Sequence, residues 1–449
     1  MGMNEQGILA GMESPVIGME TTPKARPSFD CIRFRQPDRS QMRMVTMSLD
    51  DLVPPEHHVR VVWAVVERLD LSGFAAGLTV CDGEAGRPAT DVRLLTALWL
   101  YAATQGVGSA RELDRLCRYH AAYQWLCGGV GVNYHTLSDF RVTHEQALDD
   151  LMTETLAMLM ERKLVSVRRI SQDGMRVRAS AGKSSFRRQG RLENLLEQAK
   201  TQVQLLKAQR EAPAAAQAGK RQTAARERAA RERLDRVTEA MKALEDVKQV
   251  KARSRNNDRD KPSAPRASTT DSEARVMKMP DGGFRPAYNV QLATDTDSRA
   301  ILEVDVVNEG TDKTQSEPMR QQVQERTGGA VQEHLMDGGF VKLEQIERAE
   351  EAGVKVYAPP QSRKDSDPCQ VRDTDSPEIA AWRTRMASEQ AKVIYKERAS
   401  TSETVNADLR TYRGVSRFLV RGLRKVRCVV LWSALAYNLM HFGKALLAD

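Results

Sequence analysis

Asp173 in RRISQDGMRV, Asp337 in VQEHLMDGGF and Glu403 in YKERASTSETVNADLR are the residues of this chain whose types and settings could do chemistry together. The first two stand where short strand-like runs, 170–173 and 333–337, give way to glycine, and the third lies in a segment of helical character. Carboxylates offered from two strand ends and one helix can converge on a pair of hard divalent cations held by oxygen ligands. Such a pair activates an attacking oxygen and stabilises a leaving one in phosphoryl transfer. With 60 acidic residues in the chain, the words around each carboxylate have to carry the case. Asp281 shares the DGGF word of Asp337 but follows Pro280, which is turn chemistry. Glu389 and Glu397 are rivals of Glu403 in the same helical stretch.

Positioning three such groups requires a scaffold, and its outline is readable from periodicity. Residues 1–27 have no pattern and read as a flexible lead. From 28 to 162 apolar residues recur at helical spacing (Val59, Val62, Val66, Leu69; Leu94, Leu95, Leu98, Tyr101; Leu148, Leu151, Leu156, Leu159), predicting an all-helical domain of five or six helices. Residues 163–186 turn to strand character and end in Asp173 and Gly174. Residues 187–262 interrupt this pattern. Their surplus of basic over acidic residues exceeds the +8 formal charge of the whole chain, and Ala230, Leu234, Val237, Met241 and Leu244 step by four and three. That is a heptad seam, and with a bend at 211–219 it predicts a basic, antiparallel coiled-coil hairpin inserted into a domain that resumes over 263–449. There the alternating residues of 288–294 and 301–307 predict two strands, followed by helix, strand, helix, strand and terminal helices: a mixed sheet flanked by helices.

Composition narrows the function classes. The +8 charge and a pI near 9.1 favour a polyanionic partner, nucleic acid first. Six cysteines (Cys31, Cys81, Cys117, Cys127, Cys369, Cys428) include no CxxC pair, so neither a zinc ribbon nor a disulfide framework is indicated. The first thirty residues show no signal-peptide core, and the apolar stretch 428–440 is too short to span a bilayer, so a core helix is expected there. No Ser-His-Asp triad or glycine-rich nucleotide loop stands out.

The words RRISQDGMRVRASAG, DGGFRPAYNVQLATD, HLMDGGF and YKERASTSETVNADLRTYRG, in that order, resemble the catalytic core of DDE transposases encoded by bacterial insertion sequences, in particular the IS eleven-eighty-two group. Upstream, FRQPDRSQMRMVTMSLDDLVPPEHHVRVV and GRPATDVRLLTALWLYA look like that group's helical N-terminal region, so the likeness covers roughly 30–445. The resemblance implies an RNase H-like α/β core that binds the element's terminal inverted repeats, hydrolyses its ends and joins them to target DNA. It implies two Mg2+ (or Mn2+) ions on Asp173, Asp337 and Glu403, double-stranded DNA as partner, a homodimer or higher assembly, and a cytoplasmic, nucleoid-associated bacterial protein. A nuclease of the same fold and a transposase-derived repressor are the alternatives.

The family signature around the third acid is Tyr, two residues, Arg, three or four residues, Glu, six residues, Lys. Tyr395, Arg398 and Glu403 match it, Arg410 takes the lysine position, and Asn406 stands where an aromatic is expected. Arg398 lies about 140° around an ideal helix from Glu403, so either the helix starts after Arg398 or a distortion realigns the two. Arg413, Arg417, Arg421 and Arg424, spaced by three and four, read as one basic helical face contacting DNA. Asp312 reads as a helix N-cap and His135 as a helix-start residue.

Overall fold

A computed structural model describes residues 35, 37–42, 44–80, 88–211, 220–253, 264–361 and 367–448. The predicted lead over 1–27 lies outside the described residues, as does most of the predicted bend at 211–219. Contact clustering sets 1–47 apart from 48–449, and all elements below belong to the second unit.

Among the described residues a 3-10 turn (Leu49–Leu52) and seven α-helices precede the first strand: α1 (His58–Val66), α2 (Ser72–Ala75), α3 (Val92–Thr104), α4 (Ala110–Tyr119), α5 (Ala121–Cys127), α6 (Tyr134–Thr143) and α7 (Glu145–Glu161). The extra helix beyond the five or six expected is the single turn α2, too short to leave a periodic signal. Side-chain caps start several of them: Asp91 accepts from Arg93 N at 2.8 Å, Ser109 from Glu112 N, and Asn133 from His135 N. Helix α3 is buried on every side from Leu94 to Thr104, the mark of a central helix rather than a surface one. The thiols of Cys117 and Cys127, ten residues apart, meet in a hydrogen bond between α4 and α5.

The sheet begins with β1 (Arg169–Arg178). A two-residue strand, β2 (Phe186–Arg187), leads into α8 (Gln189–Glu211) and α9 (Lys220–Arg253), and β3 (Ala267–Ser268) pairs antiparallel with β2 to close the base of this arm. The two helices pack on each other, with only part of the predicted stripe, Leu244 and the partly buried Met241, in their shared core. Leu192, Ala240, Ala243 and Leu244 bury with Ala267, and Arg233 reaches Gln202 at 3.4 Å, so the helices run antiparallel. Then come β4 (Arg275–Lys278), β5 (Phe284–Asp295), β6 (Ile301–Val307), α10 (Ser316–Thr327), β7 (Glu333–Leu335), α11 (Leu343–Glu351) and β8 (Lys355–Tyr357). The chain ends in α12 (Pro377–Ala387), α13 (Glu389–Arg398), α14 (Thr404–Thr411) and α15 (Leu423–Leu447).

Strand order is β4-β5-β1-β7-β8, with β6 on the same edge of β5 as β4. β1 runs antiparallel to β5 and parallel to β7, and β7 parallel to β8, so the predicted mixed sheet is present. Helix α15, which contains the apolar stretch 428–440, is the element that joins sheet and N-terminal helices. It packs on α7, α3, α6, α1 and β6, and Asn438 exchanges 2.9 Å hydrogen bonds with both backbone groups of Ile301. No helix among the described residues is long and apolar enough to cross a membrane.

A second junction is ionic. Arg326 at the end of α10 bonds Glu303 on β6 at 2.6 Å and Asp149 on α7 at 2.8 Å, with only 5% and 3% of the Arg326 and Glu303 side chains exposed. Removing the guanidinium strands a buried carboxylate. Arg326→Ala is expected to lower unfolding stability by about 3–5 kcal/mol in urea titrations, against less than about 1 kcal/mol for the exposed pair partner Arg115→Ala.

Candidate active site

Asp173 lies in the middle of β1, which runs on to Arg178 instead of ending at Gly174 as the sequence suggested. The glycine serves a close approach, not a turn. A Cβ at Gly174 would fall 2.4 Å from Asp312 Oδ1 and 2.7 Å from Gln291 Nε2. Alternation along the strand puts Ser171 and Asp173 on one face and Gln172, Gly174 and Arg176 on the other. On that other face Asp312 accepts hydrogen bonds from Asn289 (2.6 Å), Gln291 (2.8 Å) and Arg176 (3.2 Å). Asp312 is therefore an anchor against the sheet and not the N-cap of α10, a position held by Gln315.

The parallel pairing of β1 with β7 sets Ser171 opposite Leu335. Two residues further along both chains, on the same face, come Asp173 and Asp337. Asp337 is half-buried and accepts from Gly339 N at 2.6 Å, capping the 3-10 turn that ends β7's extension. Its rival Asp281 sits in the exposed β4–β5 turn, occupied by Arg285 (2.7 Å) and Gly283 N (3.0 Å).

Against this face lies α13–α14, joined by a π-helical turn, Ala399–Glu403. Hydrogen bonds from i to i+5 bring residues five apart into line, so the distortion between Arg398 and Glu403 is the one their spacing demanded. Ser402 Oγ meets Ser171 Oγ at 2.5 Å, and Asn406 Nδ2 donates to Asp173 Oδ2 at 2.8 Å. Arg398 Nη1 stands 3.8 Å from Asp173 Oδ1, and its guanidinium lies 5.9 Å from the centroid of the Tyr395 ring. Asn406, which stands where an aromatic is expected, instead holds the Asp173 carboxylate; its place one turn after Glu403 was the available signal.

Glu403 shares a helix face with Asn406 and Arg410, at spacings of three and seven. Its side chain is exposed and makes no hydrogen bond or ion pair among the described residues. Arg410 is half-buried; burial lowers its pKa while the Asp173 charge raises it. Glu397 is committed to Arg169 (2.5 Å), which also binds Glu333, and Glu389 to Lys392. The four arginines after α14 do not form a helical face, because 412–422 is irregular. Arg413 is buried on Asp408 and Thr104 O, Arg424 pairs with Glu145 on α7, Arg421 donates to Ser180 O, and Arg417 is exposed beside Arg178. His135 is exposed at the start of α6, its ring against Tyr134.

Burial raises the Asp173 pKa to about 6, assisted by the Asp337 and Asp312 charges and opposed by Arg398 and by Gly174 N–H. A divalent cation suits this environment. Asn406 Oδ1 is a buried acceptor without a hydrogen bond beside it, and the Asp337 charge acts on the Asp173 carboxyl, whereas the unbonded Arg398 Nη1 is a donor suited to an anion such as phosphate. Mg2+ commonly takes one or two protein carboxylates and completes its shell with water and substrate phosphate. Among the described residues no three His, Cys, Asp or Glu converge into a group that could hold a metal ion, so the exposed Glu403 is not gathered into one cluster with Asp173 and Asp337.

Residues 260–439 match the family model of the transposase DDE domain, and residues 47–143 match that of a transposase domain of helical type in this chain, DUF772. The chain is a transposase, an enzyme acting on DNA. It has no significant match among curated proteins or solved structures. The DDE domain implies an RNase H-like fold, which the β6-β5-β1-β7-β8 sheet of the transposase supplies. The match takes in Asp337 and Glu403 but begins after Asp173. The helical arm lies between, and β1 rejoins the matched region through its ladders with β5 and β7.

A carboxyl whose pKa is higher folded than unfolded favours the native state when protonated. That stability is fully present below the unfolded value of 3.8 and is lost as pH rises through about 6. In EDTA, Asp173→Asn is expected to stabilise the transposase at pH 7.5 by up to about 3 kcal/mol and to remove the fall in stability between pH 4 and 6. Urea titrations across that range measure both.

Proposed function

We propose that this transposase binds the terminal inverted repeats of its own insertion sequence, of the IS eleven-eighty-two group, cleaves its ends by metal-dependent hydrolysis and joins the freed 3' hydroxyls to target DNA. The observation that carries the reading is Asp173 on β1 and Asp337 two residues beyond the end of β7, its parallel neighbour, close enough for the Asp337 charge to act on the Asp173 carboxyl. In this reading Asp173 and Asp337 hold the divalent ions, Mg2+ or Mn2+, two per site, and Glu403 completes the set from the π-helical turn. When bound, the ions activate the attacking oxygen and neutralise charge on the leaving one.

The protein's own groups orient the phosphate. Asn406 and the Ser171–Ser402 contact fix the helix against β1, so the Asp173 carboxylate is held in one rotamer before substrate arrives. Arg398, steadied by Tyr395, and Arg410 bring positive charge to the same face, where a phosphodiester would meet it. Water serves as nucleophile in cleavage and the 3' hydroxyl in joining, each in line with its leaving oxygen and with no covalent enzyme intermediate. The helical region 28–162 is the proposed reader of the element's ends; Arg417 and Arg421 are proposed backbone contacts, whereas Arg424 would have to leave Glu145 to join them. The working form is proposed to be a homodimer or larger assembly on nucleoid DNA.

The test is cleavage of a labelled duplex carrying the element's end, in Mg2+ or EDTA. Wild type with Mg2+ is expected to cut. Asp173→Asn, Asp337→Asn and Glu403→Gln should each reduce cutting at least about 100-fold while still shifting the duplex in a gel. A variant that cuts like wild type removes its residue from the set.

A further inference from the structure

At the root of the helical arm four arginines surround one groove. Arg187 comes from β2, Arg191 from the first turn of α8, and Arg233 and Arg236 from α9; Thr269 and Thr270, just after β3, complete the lining of a cavity of about 310 Å³. None of the four guanidiniums has an ion-pair partner among the described residues. Their only side-chain bonds are weak or partial: Arg233 reaches Gln202 at 3.4 Å, and Arg236 uses its Nε on Glu232 O at 3.0 Å. Elsewhere in the molecule arginines at element junctions are neutralised, as Arg169, Arg326, Arg383 and Arg427 are. Like charges gathered without counter-charge repel one another, and the arrangement becomes favourable when an anion enters.

The groove is also preformed. Phe186 and Arg187 pair with Ser268 and Ala267, Thr269 N donates to Ser185 O at 3.1 Å, and Leu192, Ala240 and Leu244 bury beneath the helices. The Thr270 hydroxyl makes no hydrogen bond among the described residues. Fork-shaped donors beside a free hydroxyl suit phosphate oxygens, and Arg191 sits where the α8 N-terminus adds partial positive charge.

We infer that this groove binds the phosphodiester backbone of duplex DNA, making the arm root a sequence-independent clamp separate from the carboxylate site. The choice of DNA as the source of phosphate rests on the transposase reading. The arm then serves as more than a spacer: its lever position, after β1 and before β3, ties the clamp to the strand that carries Asp173.

Full-length protein is titrated onto a fluorescent duplex carrying the element's end, and onto an unrelated duplex, across a NaCl series. The paired variant Arg233→Gln/Arg236→Gln and the exposed single variant Arg191→Gln are compared with wild type. The paired variant is expected to lose roughly tenfold in affinity or more on both duplexes, and the slope of log K against log salt should fall by about 1 for each contact removed. Arg233→Lys/Arg236→Lys should keep most of the slope, which a purely structural role for these residues would not produce. Unchanged slopes in both Gln variants, with wild type binding normally, overturn the clamp and leave the proposed function standing. A loss confined to the end sequence also overturns it, since that is base reading. If wild type binds neither duplex, the proposed function fails and takes the clamp with it.

Discussion

Three parallel backbone pairs, from Arg169 with Glu333 to Ser171 with Leu335, hold the site together. They fix the register of β1 and β7, and a shift of one residue would send Asp337 to the opposite face from Asp173. The ladder is short, so its setting depends on neighbours. Arg169 clamps its start through Glu333 and Glu397, and β5 grips β1 along nine register pairs on the other side. β1 thus fixes Asp173 from both edges, whereas Glu403 rides on a helical segment tied to β1 by Arg169–Glu397, Ser171–Ser402, Asn406–Asp173 and Arg398–Asp173.

The two faces of β1 have divided duties. One carries Ser171 and Asp173 toward the π-helical turn and α14. The other buries Gln172, Asn289, Gln291 and Asp312 in a polar cluster, where Gly174 leaves room for the Asp312 carboxylate. Buried polar groups of this kind cost free energy unless paired, and their pairing specifies one arrangement of α10 over the sheet. Asp312 also adds negative charge behind Asp173, so a group on the far face helps to keep the carboxyl's pKa high.

The N-terminal helices and the catalytic sheet share a single apolar core, running from Val53 to Leu446 with α15 at its centre. The Arg326 and Arg427 ion pairs cross the same boundary. The N-terminal helices and the sheet are therefore mechanically continuous, and the arm is rooted at β2 and β3.

Much of this was legible in the sequence because it is local. Period-two and period-3.6 patterns marked β6, α10, α11, β8 and α15 to within a few residues, and the four-three stripe marked the arm helices. The words around Asp173, Asp337 and Glu403 put these acids forward as candidates, and the odd spacing of Arg398 and Glu403 demanded a distortion that the π-helical turn provides. What the sequence could not decide were relations across space. Gly174 was misread as the end of a strand because the atom that forbids a side chain there belongs to Asp312, far along the chain. Arg413, Arg417, Arg421 and Arg424 were misread as a helical face because Gly414 and Gly422 adopt positive φ and the segment is held open by partners on other elements. Asn406 gained its role only when Asp173 was brought to it, and the four arginines of the arm root became one site only when β2, α8 and α9 met. Residue type and spacing determine which groups are available and which local structure each prefers; register and packing decide which of them share a space, since those depend on contacts between segments that no local pattern encodes.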